Sequence, residues 1–359
     1  MIEEIGEAIS IIKKKGEEKI MTSVPVRDAF VEELADVLMY YNEILLRYNI
    51  SPREISDAYQ LKHNNNLSRN FTKERSDYLK VILSRKGFDS SAGGYASFIY
   101  PNGKMQSLPI PSTNDSIRYS EVTSLYKYAS LYETMKSVNP KIRSKKMVEL
   151  TQDTTCHLDP DLDEKSLIRP VGWRGCFGQC NAAQTVLAKN KVGHNDLFLF
   201  FGWFKNYIEN EKSSLESGEG KHVIFGYLQI DEVLYTKGNN IPEWLQRHPH
   251  GTPVRSERDN NCIYIARKST SWNALLPGYG IFKYSPDLVL TKEGYSRSKW
   301  NLPDIFKNAD IGYHNSNSWK DDYFQSACRG QEFVIQDNDA IEEWAKNIIN
   351  IGVRHNGVI

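Results

Sequence analysis

The sequence predicts a multidomain α plus α+β protein, with an N-terminal all-α helical module followed by a larger mixed α/β domain rich in short strands. Three observations predict it. Up to about residue 67 apolar residues recur three and four apart, the period of amphipathic helices. Near residue 76 this period gives way to short β-type runs punctuated by glycine and proline. The length of 359 residues suggests two domains at roughly 150 residues each. The boundaries read from these features are 1–75 and 78–359.

The first helix covers 2–15 and the second 26–48, where Phe30, Leu34, Val37, Leu38, Tyr41, Ile44, Leu45 and Tyr48 mark the apolar face. Gly16 and Pro25 bracket their connection. Ser51 is placed as an N-cap, with Pro52 in a first turn that tolerates it and a third helix running on over 54–67. Three helices in a bundle are expected. Beyond Tyr78 strands are expected at 79–83, 197–201, 222–230, 262–266 and 333–335, and helices at 120–136, 179–189 and 340–349. The run 197–201 is apolar without alternation, so both of its faces should be buried. The polar stretch 205–221 reads as an exposed connection.

Composition removes several functional classes. With 45 basic and 45 acidic side chains the chain lacks the footprint of a protein that grips duplex DNA through many phosphates. No run approaches the roughly 18 apolar residues of a membrane span. The acidic start Met1-Ile2-Glu3-Glu4 does not read as a signal peptide, and a cytoplasmic location is expected. The 5 cysteines are an odd number and absent before Cys156, so they read as free thiols.

Glu3, Glu4 and Glu7 lie on the first helix, and Glu33 and Asp36 on the second. Carboxylates three residues apart stack on one helical face. If the helices pack antiparallel, Glu4, Glu7, Glu33 and Asp36 converge, a costly arrangement unless a cation neutralises it. Mg2+ is the hard, phosphate-bridging candidate, while a solvated acidic face is the simpler alternative. Leu34, Val37 and Leu38 interleave with Glu33 and Asp36, which places the acidic pair near a buried seam. Lys62, Asn66 and Arg69 follow in the stretch 62–69 and offer phosphate neutralisation and base-edge donors and acceptors. The succession E-x-x-E, E-x-x-D and K-x-x-x-N-x-x-R over about residues 2–71 resembles the all-α nucleoside triphosphate pyrophosphohydrolases of the MazG-like and dimeric dUTPase group. The resemblance implies magnesium ligation by Glu4, Glu7, Glu33 and Asp36, nucleotide contacts from Lys62, Asn66 and Arg69, and Glu3 as an outer ligand or base. It also implies self-association through these helices. The group usually carries a helix before the first acidic motif; here either a partner subunit supplies that packing or the site is incomplete.

The remainder carries short polar-aromatic clusters: 84–90, Gly93-Gly94-Tyr95, 107–111, 157–161, Phe177-Gly178-Gln179, 196–203 and 330–334. Together they resemble the third type of nucleotide modification associated domain, found in phages and bacteria near genes for hypermodified DNA bases. The runs 197–201 and 222–230 are similar to the core hairpin of PUA-like and EVE-like small barrels, whose clefts accept a modified or flipped base. Asp89 either caps the turn that follows it or acts as a base. His157, Asp159 and Asp161 alternate across Pro160; extended geometry points the two aspartates to one side, as two ligands or an acid/base pair would need, with turn chemistry as the alternative. His248 and His250 also alternate about a proline, but Cys176 and Cys180 are four apart and lack zinc spacing, so a metal at that pair is not expected.

The functional expectation is a magnesium-dependent hydrolysis of a nucleoside triphosphate to the monophosphate and pyrophosphate, joined to a domain that acts in DNA base or nucleotide modification. The partners are a nucleoside triphosphate, a modified base in DNA and a second copy of the chain. Two alternatives stand beside it: a helical module that serves only as an oligomerisation platform, with the second domain reading or modifying unusual bases, and a nucleotide-targeting antiviral effector.

Overall fold

A computed structural model describes residues 2–67, 79–88, 94–144, 148–210, 214–328, 330–336 and 338–354. Its contacts divide the chain into two compact units, Met1–Ser76 and Asp77–Ile359.

The first unit holds four helices among the described residues: α1 (Ile2–Lys15), α2 (Glu17–Thr22), α3 (Val24–Arg47) and α4 (Pro52–Leu67). The connection expected between Gly16 and Pro25 is itself a short helix. Gly16, at φ 80, takes the left-handed turn that separates α1 from α2. At α4 the backbone N–H of Glu54 donates to Ser51 Oγ at 3.2 Å and that of Ser51 donates to Glu54 Oε2 at 2.9 Å, a reciprocal cap. The acidic seam differs from its expected setting. Glu33 and Asp36 are half-buried, whereas Leu34 and Leu38 stay 47% and 57% exposed. In this unit only Ala8 and Ile20 are buried among the described apolar residues, so most of its apolar stripe is open.

The second unit is built on strands β1 (Val81–Lys86), β2 (Ser97–Ile99), β3 (Met105–Gln106), β4 (Ile110–Pro111), β5 (Cys156–His157), β6 (Cys176–Gln179) and β7 (Leu197–Ile208). They continue as β8 (Ser214–Leu215), β9 (Lys221–Tyr235), β10 (Cys262–Ala266), β11 (Tyr279–Ile281), β12 (Lys299–Trp300), β13 (Phe324–Gln325) and β14 (Glu332–Ile335). One mixed sheet runs β14-β1-β7-β9-β10-β6 and curls into half a barrel. Only β1–β7 is parallel along that path; the other pairings are antiparallel. The first six residues of β7 and nine consecutive residues of β9 are buried, because apolar side chains cover both faces of these central strands. Phe177, Phe198, Phe200 and Tyr264 interlock with ring centroids 5.0–5.9 Å apart, and each such buried ring contributes about 1.5–3 kcal/mol.

Among the described residues of this unit there are three longer helices, α5 (Leu131–Val138), α6 (Asn181–Lys189) and α7 (Asp339–Arg354), and a single-turn helix over Pro253–Ser256. The helix expected over 120–136 begins only at Leu131. Ser130 caps it by accepting from the Glu133 N–H at 3.3 Å, while Tyr119 and Val122 turn into a second apolar cluster with Leu131 and Met135. Gln179 stays in β6 opposite Cys262, which delays α6 to Asn181. β7 extends to Ile208, into the stretch expected to be loop. α7 buries Ile341, Ala345, Ile348 and Ile349 at helical spacing against the main core. No helix among the described residues is long and apolar enough to cross a membrane.

Candidate functional site

His157 is the last residue of β5 and Asp159 follows two residues on. Their partners arrive from far along the chain. Asp159 Oδ1 accepts the backbone N–H of Gly178 on β6 at 2.9 Å and lies 3.3 Å from His248 Nε2. Asp159 Oδ2 lies 3.8 Å from His157 Nε2 and 3.8 Å from His250 Nε2. His250 sits on the 3-10 turn Pro249–Gly251 just ahead of β10.

Gly178 makes this approach possible. A Cβ on residue 178 would stand 2.3 Å from the Cγ and Cδ2 of His250, so the imidazole rests directly on bare backbone.

The outer nitrogens of the two rings are engaged. His157 Nδ1 is 3.0 Å from Asp115 Oδ2, and His250 Nδ1 is 2.6 Å from Asn261 Oδ1. Both partners accept, which places the proton on Nδ1 and leaves each Nε2 lone pair facing Asp159. Asp115 is anchored by Arg255. Burial alone would raise the Asp159 pKa, but the histidines, His248 foremost, hold its carboxyl below the usual carboxylate range. Burial pushes His250 down to about 3, so its ring is neutral at physiological pH. Asp115 is likewise held low, its burial offset by His157 and Arg255.

The group forms one end of a cavity of about 120 Å³ lined by Arg85, Lys86, Gln179 and Gln331 as well as His157, Asp159 and His250. Lys86 Nζ is 2.7 Å from Glu332 Oε1 and 4.1 Å from the centre of the Phe177 ring. The same carboxylate oxygen accepts from Gln179 Nε2 at 2.8 Å. The buried Lys86–Glu332 pair therefore fixes the Lys86 part of the cavity lining.

The sequence motifs distribute unevenly over this geometry. His157, Asp159 and Gln331 come together. Asp161, expected beside Asp159, instead forms a two-pronged pair with Arg169, 2.6 and 2.5 Å. It lines a separate cavity of about 250 Å³ with Trp173 and Trp244. The smaller cavity is lined by Leu108, Pro109 and Ile110 beside its polar groups, and Phe198, Phe200, Phe201 and Phe225 are core. Asp89 lies outside the described residues. Asp115, Asn261, Lys86 and the pairing of His250 with His157 escaped sequence reasoning. The one available signal was the H-x-D spacing of 157–159 with a further histidine 93 residues on.

In the N-terminal unit α1 packs against α3. Carboxylate oxygens of Glu4, Glu7 and Glu33 lie within 4.8 Å of one another. Burial and the neighbouring Glu7, Glu4 and Asp36 raise the Glu33 pKa. Asp36 bears on Glu33 without joining that trio, and Glu3 is exposed outside it. Lys62 and Asn66 fall in α4, but their side chains lie outside the described residues, as does Arg69 altogether.

A family model described as nucleotide modification associated domain 3 matches residues 80–336. No curated protein and no solved structure matches the chain.

Proposed function

The chain belongs to the nucleotide modification associated domain 3 family, and from that premise we propose that its larger unit acts on one base or nucleotide at the His157–Asp159–His250 end of the Lys86 cavity. The observation that carries this reading is the convergence of β1, β5, β6 and the His250 turn on one polar cavity. Its size limits the substrate. A volume of about 120 Å³ is well below the roughly 300–1,000 Å³ of drug-sized pockets, so a base edge or a small reacting group enters while the sugar and phosphate stay outside. Arg85 and Lys86 supply positive charge to the lining, and Gln179 and Gln331 supply the donors and acceptors that read a base edge. In this reading the curled sheet serves as PUA-like barrels do, presenting a cleft to a single base. The test is incubation of the full chain with canonical and modified nucleotides, free and within DNA, followed by mass analysis. Turnover that Asp159→Asn abolishes supports the reading; an unchanged panel counts against it.

For the helical unit, the convergence of Glu4, Glu7 and Glu33 favours a second activity, magnesium-dependent hydrolysis of a nucleoside triphosphate to monophosphate and pyrophosphate. The donor set fits the ion, since three carboxylate oxygens within 4.8 Å are hard ligands whose mutual repulsion a divalent cation relieves. Bound there, Mg2+ would neutralise phosphate charge and activate water. Glu4, Glu7, Glu33 and the adjacent Asp36 would hold the ion, Glu3 would act from outside the trio, and Lys62, Asn66 and Arg69 would contact the nucleotide. The open apolar stripe of α1 and α3 fits self-association of this unit.

A further inference from the structure

We propose that His157 Nε2, Asp159 Oδ2 and His250 Nε2 form a binding site for a divalent first-row transition metal ion of the Fe(II) and Zn(II) class, with its remaining coordination positions open to the Lys86 cavity. The proposal deepens the reading of this cavity as the reacting site and rests on it for the meaning of the open positions.

The three atoms face one another, and the second polar atom of each of the three side chains already has a hydrogen-bond partner. Asp159 Oδ1 accepts the Gly178 N–H, and His248 Nε2 stands 3.3 Å from that same oxygen and not from Oδ2. His157 Nδ1 and His250 Nδ1 are occupied by Asp115 and Asn261. His248 does not join the set: its Nδ1 accepts the His250 backbone N–H at 3.2 Å, which puts its proton on Nε2, toward the carboxylate. What remains is two imidazole lone pairs and one carboxylate oxygen, all within 4.8 Å of one another. Bonds of about 2.1 Å at a tetrahedral angle need donor separations of about 3.4 Å, and the two measured separations from Asp159 Oδ2 are 3.8 Å. Each imidazole nitrogen therefore needs to approach Asp159 Oδ2 by about 0.4 Å to reach that separation.

The donor types select the ion. Mg2+ and Ca2+ take oxygen ligands, and two imidazoles with one carboxylate suit Fe(II), Co(II) or Zn(II). The outer partners follow the arrangement that holds metal-bound histidine elsewhere, a carboxylate or carbonyl on the second ring nitrogen. Three protein ligands leave open positions, and the cavity lined by His157, Asp159 and His250 lies where an exchangeable ligand would enter.

The test uses the full chain, stripped with a chelator and carrying Glu33→Gln to disable the N-terminal carboxylates. It is titrated with Co(II) without oxygen, and its visible absorption is read. One saturable Co(II) per chain is expected, resistant to excess Mg2+. His157→Ala and His250→Ala should lose the band, and Asn261→Ala should weaken binding about 10–100-fold, the usual effect of removing an outer partner. Circular dichroism establishes that each variant is folded; His157, 20% exposed at its side chain, is the replacement least able to disturb the core. No saturable Co(II) uptake by folded protein would overturn the proposal, as would an unchanged band in both histidine variants. Metal binding without nucleotide turnover would leave the site standing and defeat the proposed reaction. Full turnover by metal-free protein would defeat the site and leave the reaction.

Discussion

Replacing Gly178 by alanine probes the packing on which the whole cluster depends. The added Cβ would stand 2.3 Å from Cγ and Cδ2 of His250 and 2.7 Å from its Cβ. Ordinary contact begins at 3.4 Å, so the ring must retreat by the difference, 3.4 − 2.3, about 1.1 Å, against carbon–carbon contact distances of about 3.5–4.0 Å. His250 is 3% exposed and has nowhere to go without stretching its 2.6 Å contact with Asn261. Overpacking of this kind costs about 1–3 kcal/mol, and a buried hydrogen bond left unmade costs about 1–3 kcal/mol more. At about 2–4 °C per kcal/mol for a large domain, the combined cost of about 2–6 kcal/mol should lower the melting transition by about 4–24 °C. Nucleotide turnover should fall by about 100-fold, the scale of a 1 Å misplacement at a reacting centre. Gly193→Ala is the control, since its Cβ meets nothing nearer than 3.9 Å. Thermal denaturation followed by circular dichroism, with turnover measured in parallel, decides the matter. If Gly178→Ala melts with the control and keeps its turnover, His250 does not rest on β6 and the account of the site is wrong.

Four further outcomes are expected. Asp115→Asn leaves Arg255 buried beside a neutral amide, and loss of one partner of a buried pair costs about 3–5 kcal/mol, to be read from urea unfolding. The same carboxyl has its native pKa below the unfolded value, so its stabilisation is present above about pH 3.9 and disappears as pH falls through the lower native value; wild type and Asp115→Asn should therefore converge in stability in acid. His222 is pushed down to about 3 by burial, with Arg85 and Arg297 adding to the shift, and accepts the Trp300 indole N–H at 3.0 Å. The unfolded chain takes up a proton below about pH 6.5 while the native one does not, so stability falls with pH between these values by up to about 1.4 kcal/mol per pH unit, a slope that His222→Gln should remove. Glu33→Gln and Asp36→Asn should abolish magnesium-dependent release of pyrophosphate; equal release from wild type and both variants would mark a contaminant. Light scattering should give at least a dimer for the full chain and a monomer for a chain starting at residue 76, because the apolar stripe from Ile5 to Ile44 is open without a partner; a full-length monomer at micromolar concentration would refute this.

The sequence carried the elements whose cause is local. Periodic apolar residues set α1 and most of α3, the Ser51 cap set the start of α4, and the unbroken run 197–201 marked a strand buried on both faces. It misplaced elements decided by distant partners. Tyr119 and Val122 leave helical order for the second core, and Gln179 stays in a strand because β10 pairs with it. The candidate site divides in the same way. His157 and Asp159 are adjacent in sequence and were singled out together, whereas His250 and Asn261 reach them only through the β6–β10 pairing, and Asp115 only through its bonds to His157 and Arg255. Asp159 and Asp161 looked equivalent by alternation, yet the nearby Arg169 claims Asp161 and only Asp159 meets the imidazoles. Cysteine spacing carried no information on where His250 lies, since its carboxylate neighbour Asp159 comes from 91 positions earlier.

The central claim is that the larger unit recognises one nucleotide in a small polar cavity and not a length of nucleic acid backbone. Equilibrium binding of the full chain to mononucleotides and short oligonucleotides, with modified and unmodified bases, tests it most directly when measured between about 50 and 200 mM salt. A cavity with few phosphate contacts releases few counterions, so affinity should change less than about tenfold over that range, should depend on the base, and should drop at least about tenfold in Gln331→Ala, whose side chain lines the cavity. A loss of about 10³–10⁵ in affinity over the same range, with no preference among bases and no effect of Gln331→Ala, would contradict it.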